Sequence, residues 1–171
     1  MTIFEMTVPV FKQMLGGLDR QLDKAAEHTG DAKDAMLGTR LAPDMHPLST
    51  QIYFTCSQAV QTLRRLAGKT IADLEDPGES FAKAKALVAS TLAHLETATP
   101  ADMAHEADRL ISFDLPNGMA FELGAEHYVR DWALPQFYFH ATMSYAILRH
   151  LGVALGKADF VSHMTKYAKR A

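Results

Sequence analysis

The chain has 171 residues, 48% of them hydrophobic and 22% charged, with a net charge of −3, the balance of one globular domain over 1–171. That charge gives no drive towards a phosphate backbone, so nucleic acid is not expected as a partner, and no run approaches the about 18 apolar residues that a membrane span needs. The single cysteine, Cys56, leaves no intramolecular disulfide, and Met1–Met6 lacks a basic, then apolar leader, so the expected location is cytoplasmic.

Phe4, Val8, Phe11, Leu15, Leu18, Leu22 and Ala25 recur at steps of four and three, which predicts an amphipathic helix over Thr2–His28. Pro9 costs little if the helix begins near Thr7 and otherwise predicts a kink. Gly16-Gly17 marks either a bend or a place where another backbone comes close. A short helical turn is expected in Asp31–Arg40. Asp44 then reads as an N-cap, with Pro47 in the first turn of a second helix running to about Ala67. Its inward stripe is Leu48, Ile52, Cys56, Ala59, Leu63 and Leu66, which makes Cys56 a small apolar filler rather than a nucleophile.

Gly68 closes that helix, and Lys69–Glu79 is a loop whose turn chemistry lies in Asp76-Pro77-Gly78. The third helix runs from Ser80 to about Thr97, with Phe81, Ala84, Val88, Thr91, Leu92 and Leu95 inward and Lys83 and Lys85 outward. Leu110–Leu123 departs from this period. Ile111, Phe113 and Leu115 oppose Met119, Phe121 and Leu123 across Pro116-Asn117-Gly118, the pattern of a β-hairpin, and its apolar side should lie on the helices. The last long helix opens at Gly124 or Ala125, and Pro135 should bend it or set Glu126–Leu134 apart from Ala133–Gly152. Gly156–Ala171, ending in Tyr167, Lys169 and Arg170, reads as a short helix or strap.

Ala133–Gly152 is the longest run of helix-compatible apolar residues. Phe137, His140, Ser144, Ile147 and Leu151 share one face, so His140 points into the core, and Gly152 ends the helix. Four long helices with short connections predict a mainly all-α fold, an antiparallel four-helix bundle with the hairpin inserted before the last long helix.

His140 is the first candidate for chemistry, as a pocket ligand or proton carrier. The plainer reading is a core histidine bonded to Tyr53, Gln51 or a backbone carbonyl. His127 and Asp131, four apart, either orient each other or face solvent. Trp132, Phe137, Tyr138 and Phe139 read as core, with one or two of them touching a cavity. No Gly-rich phosphate loop, G-x-S-x-G elbow, C-x-x-C or H-E-x-x-H occurs.

Arg40-Leu41-Ala42-Pro43-Asp44-Met45, the hairpin, Ala133-Leu134-Pro135 before Phe137-Tyr138-Phe139-His140, and Tyr145-Ala146-Ile147-Leu148-Arg149 together resemble an uncharacterised bacterial family of domains of unknown function within the DinB/YfiT-like superfamily. The resemblance runs from the first helix to Gly156-Lys157-Ala158-Asp159-Phe160. It implies a metal-dependent scaffold, in which one histidine of helix two and an i, i+4 pair on helix four bind a divalent ion, and some members support thiol transfer or maleylpyruvate isomerisation. Facing helices let three imidazoles converge on one cation. Here His140 takes the first position of the pair and Ser144 the second. Gln51 stands about where the helix-two histidine belongs, with His46 a turn earlier.

The leading expectation is therefore a small-molecule-binding or stress-associated bundle that has lost the standard metal triad, its pocket formed by His140, Gln51, Tyr53, Phe137 and Ser144. A rival is a divalent-metal enzyme of the thiol transferase or isomerase type, holding Zn²⁺, Ni²⁺ or Mn²⁺ on His46 and His140, with His105, His127 and His163 in reserve. A third is a structural interaction module. A homodimer formed through the tail and hairpin is expected.

Overall fold

A computed structural model describes residues 1–71, 74–103 and 109–169. Helix α1 spans Ile3–Thr29 and begins earlier than Pro9 suggested, because Thr2 and Glu5 close a capping box. The Thr2 hydroxyl accepts from Glu5 N–H, and the Glu5 carboxylate accepts from Thr2 N–H. Pro9 thus lies inside the helix, where it denies the Glu5 carbonyl its usual partner. Val8, Phe11, Leu15, Leu18, Leu22 and Ala25 are buried as the period requires, while Phe4 is only partly so.

A 3-10 segment, Gly30–Gly38, leads to α2, Leu48–Leu66. Here the expected cap is corrected: Asp44 lies in a turn, and Pro47 occupies the N-cap position, its carbonyl taking the Gln51 N–H. The turn is tied by Leu48 N–H to the Thr39 carbonyl and by Arg40 Nη1 to the Met45 carbonyl, so tertiary bonds hold the helix start instead of a side-chain cap. All six stripe residues of α2 are buried.

Helix α3, Phe81–Glu96, is capped by the Ser80 hydroxyl, which accepts from Lys83 N–H. Lys85 is less outward than expected, since its ammonium reaches Asp19 and Asp23 on α1 at 2.6 and 2.7 Å. The loop before α3 turns where the Asp76 carboxylate accepts from Gly78 N–H. Residues 72 and 73 of that loop, the reserve ligand His105, and Arg170 and Ala171 at the tail lie outside the described residues.

Strands β1 (Leu110–Asp114) and β2 (Ala120–Gly124) pair antiparallel with Ile111 opposite Leu123 and Phe113 opposite Phe121, the expected register. Ile111 and Phe113 are buried. Phe113 stacks on Phe121 and meets Trp132, with centroids 5.3 and 4.9 Å away, and the Arg65 guanidinium covers its ring at 4.5 Å. This cluster fastens the hairpin to the bundle.

The last long helical run is continuous but not uniform. It comprises α4 (Ala125–His127), a π-helical segment (Tyr128–Ala133) and α5 (Leu134–His150). Pro135 sits in the first turn of α5, and the chain accommodates it by widening upstream, where Leu134 N–H reaches back five residues to the Val129 carbonyl. Gly152, at φ 87°, lets Val153 N–H close on the Leu148 carbonyl and ends the helix.

Helices α1, α2, α3 and α5 form the four-helix bundle, with its most extensive interface between α2 and α5. The tail is a strap on α1: α6 (Lys157–Phe160) and a 3-10 segment, Ser162–Tyr167. A Cβ at the buried Gly17 would stand 3.5 Å from the Phe160 carbonyl oxygen, so the Gly16-Gly17 pair marks a close backbone approach. Among the described residues no helix is long and apolar enough to cross a membrane.

Candidate functional site

His140 lies on the face of α5 that meets the start of α2, and it is 8% exposed. Its Nδ1 is 2.8 Å from Gln51 Oε1, while Gln51 Nε2 donates to the His46 carbonyl at 3.3 Å. These two contacts fix the protonation pattern. A backbone carbonyl only accepts, so the amide nitrogen of Gln51 must face His46, and the amide oxygen is left for His140. Nδ1 therefore carries the proton and donates to Gln51. The neutral ring keeps its lone pair on Nε2, which has no partner among the described residues and is not sealed from solvent. Burial, and secondarily the charge of His46, hold the pKa of His140 down to about 4, so the ring is neutral at pH 7.

Aromatic rings frame this imidazole. Phe54 lies 4.9 Å from His140 and 5.3 Å from the ring of His46, and Phe139 stands edge-on to His140 at 5.2 Å. Phe54 was missed at the sequence level. Its signal is position alone: it follows Gln51 by three and so shares that residue's face of α2.

The other expected pocket residues divide. Tyr53 packs against Phe54 at 5.4 Å and makes no hydrogen bond to His140. Phe137 is fully buried against Phe11, with centroids 4.6 Å apart. Ser144 is buried one turn beyond His140, and its hydroxyl donates to the His140 carbonyl at 3.0 Å. His46 is exposed in the turn before α2. Trp132 joins the hairpin cluster, whereas Tyr138 and Phe139 are 39% and 53% exposed rather than core, because their helix presents only one face inward.

The reserve ligands stand elsewhere. His127 is exposed, and Asp131 is paired with Arg130 through two contacts of 2.7 and 2.8 Å. Both residues face solvent, and the charge of His127 adds only a minor effect to the pairing of Asp131 with Arg130. His163 lies in the tail, against α1. For the divalent ion that the resemblance implied, the donors beside His140 among the described residues are its own imidazole, that of the exposed His46, an amide already engaged twice, and a hydroxyl bonded to the backbone. That set does not fit a Zn²⁺-, Ni²⁺- or Mn²⁺-type site. Among the described residues no group of three or more His, Cys, Asp or Glu side chains is placed to hold an ion.

Cys56 is fully buried on α2, and burial pushes its thiol up to about 12 despite a contact with Thr91. It is expected to resist a disulfide exchange reagent such as DTNB at pH 8 in the native protein and to react fully once the chain is unfolded in guanidinium. Rapid stoichiometric labelling of the native state would contradict this burial.

The family described as Domain of unknown function (DUF1993) matches residues 3–161. A crystal structure of a DinB family member protein from Shewanella denitrificans, at 1.83 Å resolution, superposes with a TM-score of 0.82 and 34% sequence identity, over 92% of this chain and 90% of that one. No curated protein matches the chain.

Proposed function

The chain belongs to the DUF1993 family, a DinB-like family of unknown function, and from that premise we propose that it is a small-molecule-binding bundle that works without a metal ion. The observation that carries this reading is the chain of bonds from His140 Nδ1 through Gln51 to the His46 carbonyl, which presents Nε2 as a neutral hydrogen-bond acceptor. A ligand at this place donates an N–H or O–H group to Nε2 and lays an apolar or aromatic surface on Phe54 and Phe139. The donor set argues against the divalent-metal enzyme; the bond to Gln51 is also that of the core histidine the sequence allowed, and what favours a ligand over a purely structural module is the open Nε2 beside Phe54 and Phe139. A reducing, cytoplasmic setting suits the single buried thiol. Homodimerisation is part of the proposal, through the exposed Leu110 and Met119 of the hairpin and Met164 and Tyr167 of the tail.

Two measurements test the site. Long-range ¹⁵N–¹H spectra of the histidine rings are expected to show His140 as the Nδ1–H tautomer at pH 7, and a fragment screen followed on the same ring should find hydrogen-bond donors that shift Nε2. Elemental analysis after exposure to Zn²⁺, Ni²⁺ and Mn²⁺ is expected to find well under one equivalent of metal. Near-stoichiometric metal that disappears in His140→Ala would replace this proposal with the enzyme of thiol-transfer or isomerase type.

A further inference from the structure

About 18 Å along α2 from Gln51, by helical rise, a cavity of about 220 Å³ opens where the end of α2 meets the end of α3. Leu63, Ala67, Ala98 and Met103 supply apolar walls, and Arg64, Lys69, His94 and Asp102 supply the polar ones. Arg64 also lines a neighbouring space of about 190 Å³.

The guanidinium is held but not satisfied. Nη1 donates to the Thr70 carbonyl at 2.7 Å, while the buried Nε–H has no partner among the described residues. With Nη1 anchored and Nε closed off, Nη2 has no partner among the described residues and is not sealed from solvent, so it is the nitrogen that an acceptor oxygen can reach. Lys69 and Asp102 lie 3.4 Å apart and offset each other, which leaves one net cation among the described residues that line the cleft. His94 is held below its usual pKa by burial first and then by the charges of Arg64 and Lys69, so at neutral pH it adds a hydrogen bond and no charge.

Helix C-termini ordinarily disfavour an anion, but several of the carbonyls in these last turns are engaged. Ala67, Gly68 and Lys69 N–H bond to the carbonyls of Leu63, Arg65 and Arg64, and the Thr97 N–H and hydroxyl both bond to that of His94. We propose that this cleft binds a small organic monocarboxylate with an apolar body, the carboxylate paired to the Arg64 guanidinium and the body seated on Leu63, Ala67, Ala98 and Met103. The cavity is below the about 300–1,000 Å³ of pockets for drug-sized ligands, which points to acids of the size of benzoate or hexanoate. The site is separate from His140 and stands whether or not that residue binds a ligand.

The test is a ¹H–¹⁵N titration of the full chain with benzoate and hexanoate, with benzamide as the neutral counterpart of benzoate and inorganic phosphate as an anion without an apolar body. Saturable shifts are expected in the last turns of α2 and α3 for a carboxylate. Benzamide and phosphate should bind about tenfold or more weaker, as should benzoate to Arg64→Gln, the scale of a lost charge-assisted pair. Ala98→Leu, which fills the floor and leaves Arg64 in place, should also abolish binding, and it decides the matter if Arg64→Gln does not fold. The proposal is overturned if neither carboxylate saturates, if benzamide or phosphate binds as well as benzoate, or if a folded Arg64→Gln or Ala98→Leu binds like the wild type.

Discussion

Replacing Phe137 by alanine is expected to destabilise the protein by about 3–5 kcal/mol, the usual cost of truncating a large aromatic side chain in a packed core. Phe137 is fully buried, and its ring meets that of Phe11 across the α1–α5 interface at 4.6 Å with a 53° tilt. The loss therefore combines apolar area, an aromatic pair and the cavity left behind. Urea unfolding of the wild type and Phe137→Ala measures it as a lower midpoint at unchanged slope. The same residue was expected to line a pocket, and the two roles predict different outcomes. A pocket wall tolerates truncation with a loss of around 1 kcal/mol or less, the scale for residues outside well-packed sites. A small effect would mean that Phe137 faces open space and that the α1–α5 contact is looser than its geometry.

The second large effect is a dependence of stability on pH that is traceable to one histidine. His140 has an ordinary pKa near 6.5, which folding lowers to about 4. The unfolded chain thus takes up a proton first as pH falls, and protons favour unfolding. The contribution is fully present above about pH 6.5 and is lost as the pH falls from there towards about 4. Between pH 7 and pH 5 the expected loss from this residue is about 2 kcal/mol. Carboxylates titrate at the lower end of the same window, so the measurement is the difference between wild type and His140→Gln in urea midpoints at each half unit of pH. The variant should lose the part of the slope above pH 5. If the two profiles run parallel, folding does not lower the pKa of His140, and the burial argued for its ring fails with it.

These outcomes bear on how a site can exist without a converging ligand set. On α5, Ser144 stands one turn beyond His140, but its hydroxyl is spent on the His140 carbonyl. On α2, Gln51 does not point an acceptor and a donor into open space; it spends one on His46 and the other on His140. The imidazole is consequently oriented as a metal-bound histidine is oriented, through an Nδ1–H bonded to an oxygen, while among the described residues His46 alone stands beside it as a further imidazole and no group of three ion donors forms. A hydrogen-bond donor from a ligand completes such a ring with one contact, whereas a cation needs several.

Much of this was legible in residue order. The stripe Leu48, Ile52, Cys56, Ala59, Leu63 and Leu66 is buried throughout, and Phe113 meets Phe121 across the hairpin, because a single element's periodicity states which of its faces is apolar. The inward placement of His140 follows from the same rule. Helix starts were less legible. Asp44 has the chemistry of a cap, yet Pro47 holds that position because Thr39 and Arg40, from the preceding turn, tie the chain there. Thr2 and Glu5 did carry a capping signature in sequence, three residues apart, and the early Pro9 obscured it. The aromatic run Phe137-Tyr138-Phe139 was split between core and surface, as consecutive helical positions point about 100° apart.

The sequence by itself determined the helices, their inward faces, the hairpin register and the membership of the family, since all of these rest on local spacing or on short motifs. Only the tertiary structure decided that Gln51, 89 residues earlier, and not Tyr53 is the partner of His140, and that Arg64 and His94 from different helices border one cleft. Such pairings depend on the rotation and axial shift of one helix against another. Many pairings satisfy the same apolar stripes, and packing across the interface selects among them.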